Sequence, residues 1–142
     1  KNTLINSRTA KEYNIDSNFA SGWEGLRSPV MATGDLNENN ISKEIDKGVF
    51  LNNLHYLNWS DNIGGRITGM TRYACFWVEN GEIVAPIENM RFDDTIYNIF
   101  GDNLESVTSH SQFIPDTGTY SSRSFGGTEC PGILLNSFSL TL

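Results

Sequence analysis

The sequence predicts a β-rich α+β domain with mainly antiparallel strands, and three observations support this class. The dipeptide Asn80-Gly81 lies between two runs that alternate apolar and polar residues, which is the strongest short signal for a β-hairpin. The last run of the chain, residues 132–142, alternates in the same way and predicts a strand that closes a sheet. Helical spacing of apolar residues is limited to two short segments, at about 42–47 and 94–100.

Length and composition favour a single domain over residues 1–142. The content of 8 Phe, 5 Tyr and 3 Trp predicts a folded body rather than a disordered chain. A net charge of −7 without any cluster of Lys and Arg argues against direct binding to nucleic acid or to an anionic membrane. No apolar run approaches the roughly 20 residues that span a bilayer, and the first residues lack the apolar core of a signal peptide. We expect a cytoplasmic protein, with Cys75 and Cys130 as free thiols.

The first half of the chain contains few strong signals. Residues 7–13 can form one helical turn, and residues 16–40 are loop-like. Asn40 or Ser42 is expected to cap the short helix at 42–47, with Gly48 as its left-handed stop.

A longer extended run follows this helix. Residues 49–59 alternate apolar and amide side chains on both faces, which we interpret as one strand covered on both sides. Residues 60–65 have turn chemistry, and residues 66–71 begin the strand that leads into the hairpin.

The Asn80-Gly81 turn also predicts a register for its two strands. Counting outward from the turn, Glu79 should face Glu82, and each preceding residue should face the next one on the second strand. The pairs are Val78 with Ile83, Trp77 with Val84, Phe76 with Ala85, Cys75 with Pro86, and Ala74 with Ile87. One face is then apolar, and Pro86 places the second strand at an edge or at a bulge because it has no N–H to donate.

After the hairpin, Asp93 or Asp94 is expected to cap the helix at 94–100, and Gly101 to end it. Residues 104–111 are a candidate strand, and residues 115–127 form a loop rich in Gly, Ser and Thr. The closing strand at 132–142 completes the chain.

Common catalytic motifs are missing from the sequence. It has no Gly-x-Ser-x-Gly elbow, no P-loop, no dinucleotide fingerprint and no His-x-x-x-His pair. We expect His55 to be a hydrogen-bonded core or interface residue and His110 to lie in a surface loop. Arg72 and Arg91 bracket the hairpin and could clamp a carboxylate, although pairing with Asp93 or Asp94 is the preferred interpretation.

The segment 68–92, TGMTRYACFWVENGEIVAPIENMRF, resembles the C-terminal domain of the TldD/PmbA family, also called modulators of DNA gyrase. We call it the signature segment. The resemblance extends over essentially all of the chain, including residues 9–11, 45–50 and 130–138. The residues of the segment that match the family pattern, and that we expect to have mainly structural roles, are Thr68, Gly69, Thr71, Arg72, Glu79, Asn80, Gly81, Pro86, Asn89, Arg91 and Phe92.

The resemblance implies a metal-dependent peptidase that acts on leader peptides and unfolded peptides, assembled as a homodimer or as a heterodimer with a family partner. In that family the metal histidines lie on an HExxxH helix upstream of the matched segment, so zinc or another divalent metal belongs to the full-length protein. The resemblance implies no cofactor and no catalytic residue in this chain, which alone should be inactive. The gyrase name implies an indirect effect on DNA.

One departure from the family pattern leaves an alternative open. The catalytic subunit takes a cysteine ligand from the loop before the closing strand, whereas residues 117–127 contain no cysteine and Cys130 lies beyond them. This favours a non-catalytic, TldE-like subunit or interaction module without metal, or a divergent branch. An unrelated β-rich ligand-binding domain would require the resemblance to be accidental.

Overall fold

The structure is a computed structural model that describes residues 4–22, 24–26, 28–120 and 125–141. The described part is β-rich, with nine strands and short helical segments, as the sequence predicts. All strand pairs with an assigned register are antiparallel. None of the helices in the described ranges is long and apolar enough to cross a membrane.

The chain divides into two compact units, Lys1–Ala32 with Gln112–Cys130, and Thr33–Ser111 with Pro131–Leu142. The prediction of a single domain over residues 1–142 is not tested by this division and stays a prediction. Two strands pass from one unit into the other along the chain: β7, Leu104–Pro115, and β8, Gly127–Leu135, which form a two-stranded sheet.

The first unit contains helix α1, Ser7–Tyr13, where the sequence predicts a helical turn. Asn6 is its N-cap, and the Asn6 Oδ1 atom accepts hydrogen bonds from the main-chain N–H groups of Arg8 and Thr9 at 2.8 and 2.9 Å. Asn14 ends the helix in the left-handed conformation, with φ 52°. These two caps explain why so short and polar a helix forms.

The second unit contains two sheets. The first has the order β1-β4-β5, from Lys47–Leu51, Cys75–Glu79 and Glu82–Pro86. The second has the order β2-β3-β6-β9, from Leu54–Asp61, Arg66–Thr71, Arg91–Thr95 and Leu140–Thr141. The signature segment supplies strands to both sheets, so it links them along the chain.

The Asn80-Gly81 hairpin forms as predicted, with positive φ of 51° and 79° at its two turn residues. Glu79 faces Glu82 and Val78 faces Ile83, as expected, but a bulge follows, so that Trp77 faces Ala85 and Phe76 faces Pro86. The predicted register is therefore wrong beyond the second pair.

The bulge falls at Val84, and β5 lies at the edge of its sheet, as its proline suggested. The predicted apolar face is also only partly buried. Val78, on the central strand β4, is completely buried, whereas Ile83, on the edge strand β5, is 54 % exposed. Cys75, which was expected to be a free thiol, is free and buried.

The predicted strand at 49–59 is wrong as a single element. It is divided at Asn52-Asn53 into β1 and β2, which belong to different sheets. The Asn53 carbonyl oxygen leaves the ladder and accepts hydrogen bonds from the Arg72 N–H at 3.2 Å and from the Cys75 thiol at 3.6 Å. β2 is mostly exposed rather than covered on both sides.

The two predicted helices are shifted and differ in type. The first is a 3₁₀ helix at Glu38–Glu44 capped by Asn37, and Gly48 is a strand residue opposite Val78 rather than a left-handed stop. The second predicted helix gives way to strand β6 through Thr95, which is followed by a short π-helix at Asn98–Asp102. Pairing of β6 with β3 takes Asp93 and Asp94 into the sheet, and this pairing overrides the local helical spacing.

The predicted closing strand at 132–142 is also divided. Its first part belongs to β8, which begins earlier at Gly127, and its last part is β9, which pairs with β6. Leu142 lies outside the described residues.

The fully buried core of the described residues is small. Its largest completely buried side chains are those of Phe92, Val78 and Thr71. Many large apolar side chains in the second unit are exposed instead, among them Tyr56, Leu57, Trp59, Ile63, Ile83, Val84 and Phe100.

Candidate functional site

Thr71 joins the two parts of the signature segment that enter the second sheet. Its main-chain N–H donates to the Met90 carbonyl at 2.9 Å, and its Oγ1 accepts from the Met90 N–H at 2.9 Å. The hydroxyl also lies 3.5 Å from the Glu88 carbonyl. With its amide oriented to donate, Asn89 reaches the carbonyl oxygens of Thr71 and Arg72 at 3.2 Å each. These contacts fix the return of the chain from β5 to β6.

Gly69 and Phe92 form a close contact across β3 and β6, where they face each other. A Cβ atom at position 69 would lie 2.8 Å from Phe92 Cε1 and 3.0 Å from the His55 carbonyl oxygen. The Phe92 ring also packs on Phe138, with ring centroids 5.1 Å apart. Glycine is therefore required at position 69 by the aromatic packing.

The turn of the hairpin is anchored to the segment before β1. The Asn80 N–H donates to the Asp46 carbonyl at 2.6 Å, and the Gly81 N–H donates to the Ile45 carbonyl at 3.0 Å. Glu79 Oε1 accepts from the indole N–H of Trp77 at 2.9 Å. Pro86, at the far end of β5, completes the part of the signature that shapes the hairpin.

The arginines do not pair as the sequence suggested. Asp93 forms its ion pair with Arg66, at 2.5 Å, and not with Arg72 or Arg91. The register explains this, because Arg66 and Asp93 are diagonal neighbours on one face of the β3–β6 pair. The hydrogen bond and the charge of Asp93 raise the pKa of Arg66. The Arg72 guanidinium instead lies 4.9 Å from the ring centroid of Tyr73.

A groove of about 280 Å³ opens on the same face of the second sheet. It is lined by Tyr56, Thr68, Gly69, Met70 and Arg91. Met70 and Arg91 face each other across β3 and β6, and the Thr68 hydroxyl is bonded to the Phe92 carbonyl at 3.0 Å. Tyr56 lies in a bulge of β2, with φ 51°, in a conformation that non-glycine residues rarely adopt.

The first unit contains a larger cavity of about 730 Å³. Its lining includes Ser28, Ile114, Asp116, Phe125 and Thr128, which belong to the ends of β7 and β8 and to the segments beside them. The loop between β7 and β8 is the one in which the resemblance places a cysteine ligand, and residues 121–124 of it lie outside the described residues. The lining residues that the structure describes include no histidine or cysteine.

The residues that could bind a metal are not brought together. Within residues 4–22, 24–26, 28–120 and 125–141, no group of three or more His, Cys, Asp and Glu side chains could hold an ion. The Cys75 thiol is buried and donates to main-chain oxygens, and Cys130 is half-buried in β8. His55 packs against the Tyr56 ring at 4.3 Å, whereas His110 is exposed in β7. The described donors do not fit a metal site by themselves, and the prediction that this chain holds no metal stays a prediction.

Sequence reasoning therefore found the framework of the groove but not the groove itself. Thr68, Gly69 and Arg91 were singled out, while Tyr56 and Met70 were not. The alternation of residues 66–71 was a usable signal for Met70, because it places that side chain on the same face as Thr68. No local signal indicates the bulge that places Tyr56 beside the groove.

These features define a β-rich domain whose characteristic residues mostly pack and hydrogen-bond within the fold. The sequence model of the family described as PmbA/TldA metallopeptidase C-terminal domain matches residues 1–142. The chain belongs to this family.

Two solved structures have the same fold. TldE from Thermococcus kodakarensis matches with a TM-score of 0.72 and 16 % identity, covering 97 % of this chain and 30 % of that one. A putative modulator of a DNA gyrase from Thermotoga maritima matches with a TM-score of 0.68 and 19 % identity, covering 97 % of this chain and 30 % of that one. The chain thus spans 30 % of the length of each. None of the curated proteins searched matches the chain.

Proposed function

We propose that this chain is the C-terminal domain of a TldD/PmbA-like peptidase that acts on peptides or unfolded proteins. In this proposal the chain supplies surface that contacts peptide or a partner subunit, while the metal ligands lie in the rest of the full-length protein. The observation that carries the proposal is the family match over residues 1–142. The length of the related structures, of which the chain spans 30 %, leaves room for a separate metal-binding region.

The exposed apolar side chains of the second sheet support a contact role. Tyr56 is 75 % exposed and Trp59 is 52 % exposed, both on the edge strand β2. An edge strand with large exposed side chains would be an aggregation hazard in a free monomer, so a covering domain or partner subunit is expected. We accordingly propose a homodimer or a heterodimer with a family partner, located in the cytoplasm.

The experiment that tests the proposal is hydrolysis of an unfolded polypeptide by the purified full-length protein, with and without a chelator. Cleavage that is lost with the chelator and restored by a divalent metal supports the proposal. Cleavage that is insensitive to the chelator contradicts it.

A second candidate is a non-catalytic, TldE-like subunit without metal. Two observations favour it: the structural similarity to TldE from Thermococcus kodakarensis and the absence of cysteine from residues 117–127. Metal analysis of the full-length protein with and without Cys130→Ser separates the two candidates. Bound zinc that is lost on this substitution excludes the non-catalytic subunit, and a metal-free protein that supports cleavage only with a partner subunit favours it.

A further inference from the structure

The groove on the second sheet is lined by an arginine, Arg91, that has no ion pair among the described residues. Arg91 is exposed, and among the described residues its guanidinium makes neither an ion pair nor a hydrogen bond. Arg66 lies on the same face and is paired with Asp93. Among the described basic side chains, Arg66 is the one with an ion pair, and Arg91 is the one that lines the groove. Arg91 therefore remains available for an anionic ligand.

The other walls of the groove are not suited to a bare ion. The Tyr56 ring and the Met70 thioether present apolar surface beside the Arg91 guanidinium. The Thr68 hydroxyl already donates to the Phe92 carbonyl, so its remaining capacity is as an acceptor. The bulge that holds Tyr56 at φ 51° brings this ring to the groove despite the conformational cost.

The lining of the groove indicates which class of ligand fits. An ion pair at an exposed site is weak, so the guanidinium alone would not hold a small anion. A ligand side chain placed on Met70 and Tyr56 removes apolar surface from water, so a ligand that makes both contacts is favoured. The planar guanidinium matches a carboxylate with two parallel hydrogen bonds. The ligand expected here has a carboxylate next to an apolar side chain.

We propose that this groove binds a peptide carboxylate through Arg91, with the neighbouring apolar side chain of the peptide on Met70 and Tyr56. The inference rests on the proposed action on peptides and adds the group that this face recognises. The carboxylate can be the C-terminus of a peptide or an acidic side chain, and both present the same chemistry to the guanidinium.

The test is a chemical-shift titration of the ²H,¹⁵N-labelled full-length protein with three matched peptides. They are N-acetyl-Ala-Leu as the free acid, the same peptide as its C-terminal amide, and N-acetyl-Glu-Leu-amide. We expect the signals of Thr68, Met70 and the Arg91 side-chain N–H to shift with at least one peptide that carries a carboxylate. The amide peptide without Glu is expected to bind at least about tenfold more weakly. Binding of the free-acid peptide would identify the carboxylate as a peptide C-terminus, and binding of the Glu peptide would identify it as an acidic side chain.

Three variants test the role of Arg91. Arg91→Gln should abolish the shifts, whereas Arg72→Gln, which removes an exposed arginine outside the groove lining, should leave the affinity within about twofold. Arg91→Lys keeps the charge but loses the two-point geometry, and should bind with intermediate affinity. The spectrum of each variant without peptide shows whether it is folded.

Several results would overturn the inference. These are equal binding of the acid and amide peptides, unchanged binding by Arg91→Gln, acetate binding as well as the acid peptide, or no shift with any peptide. The proposed function is tested separately, by hydrolysis with the full-length protein. The inference that the groove binds a carboxylate can therefore be disproved while the peptidase proposal still holds.

Discussion

The Thr71 hydroxyl accepts a hydrogen bond from the Met90 N–H at 2.9 Å, and the Thr71 N–H donates to the Met90 carbonyl at 2.9 Å. Thr71 is only 1 % exposed, so water cannot replace these bonds. The two residues come from the beginning and the end of the signature segment. Their contact closes the path that the chain follows from β3 through the hairpin to β6.

Thr71→Val should therefore destabilise the protein by about 1–3 kcal/mol, because it leaves the Met90 N–H without its partner beside the buried side chain of residue 71, while keeping the branched shape. Urea unfolding measures the change. Thr141→Val is the control, since that hydroxyl is exposed and 3.5 Å from its acceptor, and it should change stability by less than about 0.5 kcal/mol. Equal effects of the two substitutions would show that the Thr71 contact is unimportant.

Gly69→Ala should lower the free energy of unfolding by about 1–3 kcal/mol through overpacking. The new methyl group would lie 2.8 Å from the Phe92 ring, which is itself held by the core. Gly101→Ala is the matched control, because nothing lies within 4 Å of a Cβ atom at that position. Denaturation of both variants checks the prediction, and a neutral Gly69→Ala would mean that the ring can move aside.

Gly81→Ala should cost about 1–2 kcal/mol because the turn requires positive φ, here 79°, which an L side chain adopts only with strain. The added Cβ atom would also lie 3.0 Å from the Lys43 Cα atom. Asn80→Gly keeps access to positive φ at the neighbouring position and should leave the hairpin intact. Thermal unfolding compares the two variants. Asn80→Gly should be more stable than Gly81→Ala, and the reverse order would contradict the prediction.

Helix α1 should lose protection in acid because of Glu24. The Glu24 carboxylate accepts from the Asn6 main-chain N–H at 2.9 Å, and this bond together with the Thr9 hydroxyl lowers the pKa of Glu24. A lowered pKa in the folded state means that the contribution to stability is present above the ordinary glutamate pKa, about 4.3, and is lost as the pH falls through the lower folded value.

Amide hydrogen exchange at Asn6 and Thr9 between about pH 6 and pH 3 tests this prediction. Exchange corrected for its intrinsic pH dependence should accelerate at the acid end in the parent chain. In Glu24→Gln the acceleration should disappear, whereas Glu12→Gln, an exposed change on the same helix, should retain it. Corrected exchange rates that do not change with pH in the parent chain would contradict the assigned role of Glu24.

Elements fixed by local chemistry could be predicted from the sequence. The Asn80-Gly81 turn needs only its own two residues, and β3 at Arg66–Thr71 and helix α1 at Ser7–Tyr13 have the predicted boundaries. The helix expected at 94–100 is shifted to Asn98–Asp102 because pairing with β3 provides Asp93 and Asp94 with sheet partners that the local pattern does not show.

The groove could be predicted only in part, for a similar reason. Arg91 was a candidate carboxylate clamp in the sequence, but its freedom depends on Asp93 being paired with Arg66, a residue far away in the chain. The bulges at Tyr56 and Val84 shift registers without any local signal, because they depend on how each edge strand fits its neighbour.

In the proposed function, the signature segment builds a fold, while the metal chemistry resides outside this chain. The most direct measurement compares the 142-residue chain and the full-length protein, at equal concentration and with added zinc, for cleavage of one unfolded polypeptide. The account predicts cleavage by the full-length protein and none by the 142-residue chain. Metal-dependent cleavage by the 142-residue chain alone would contradict it.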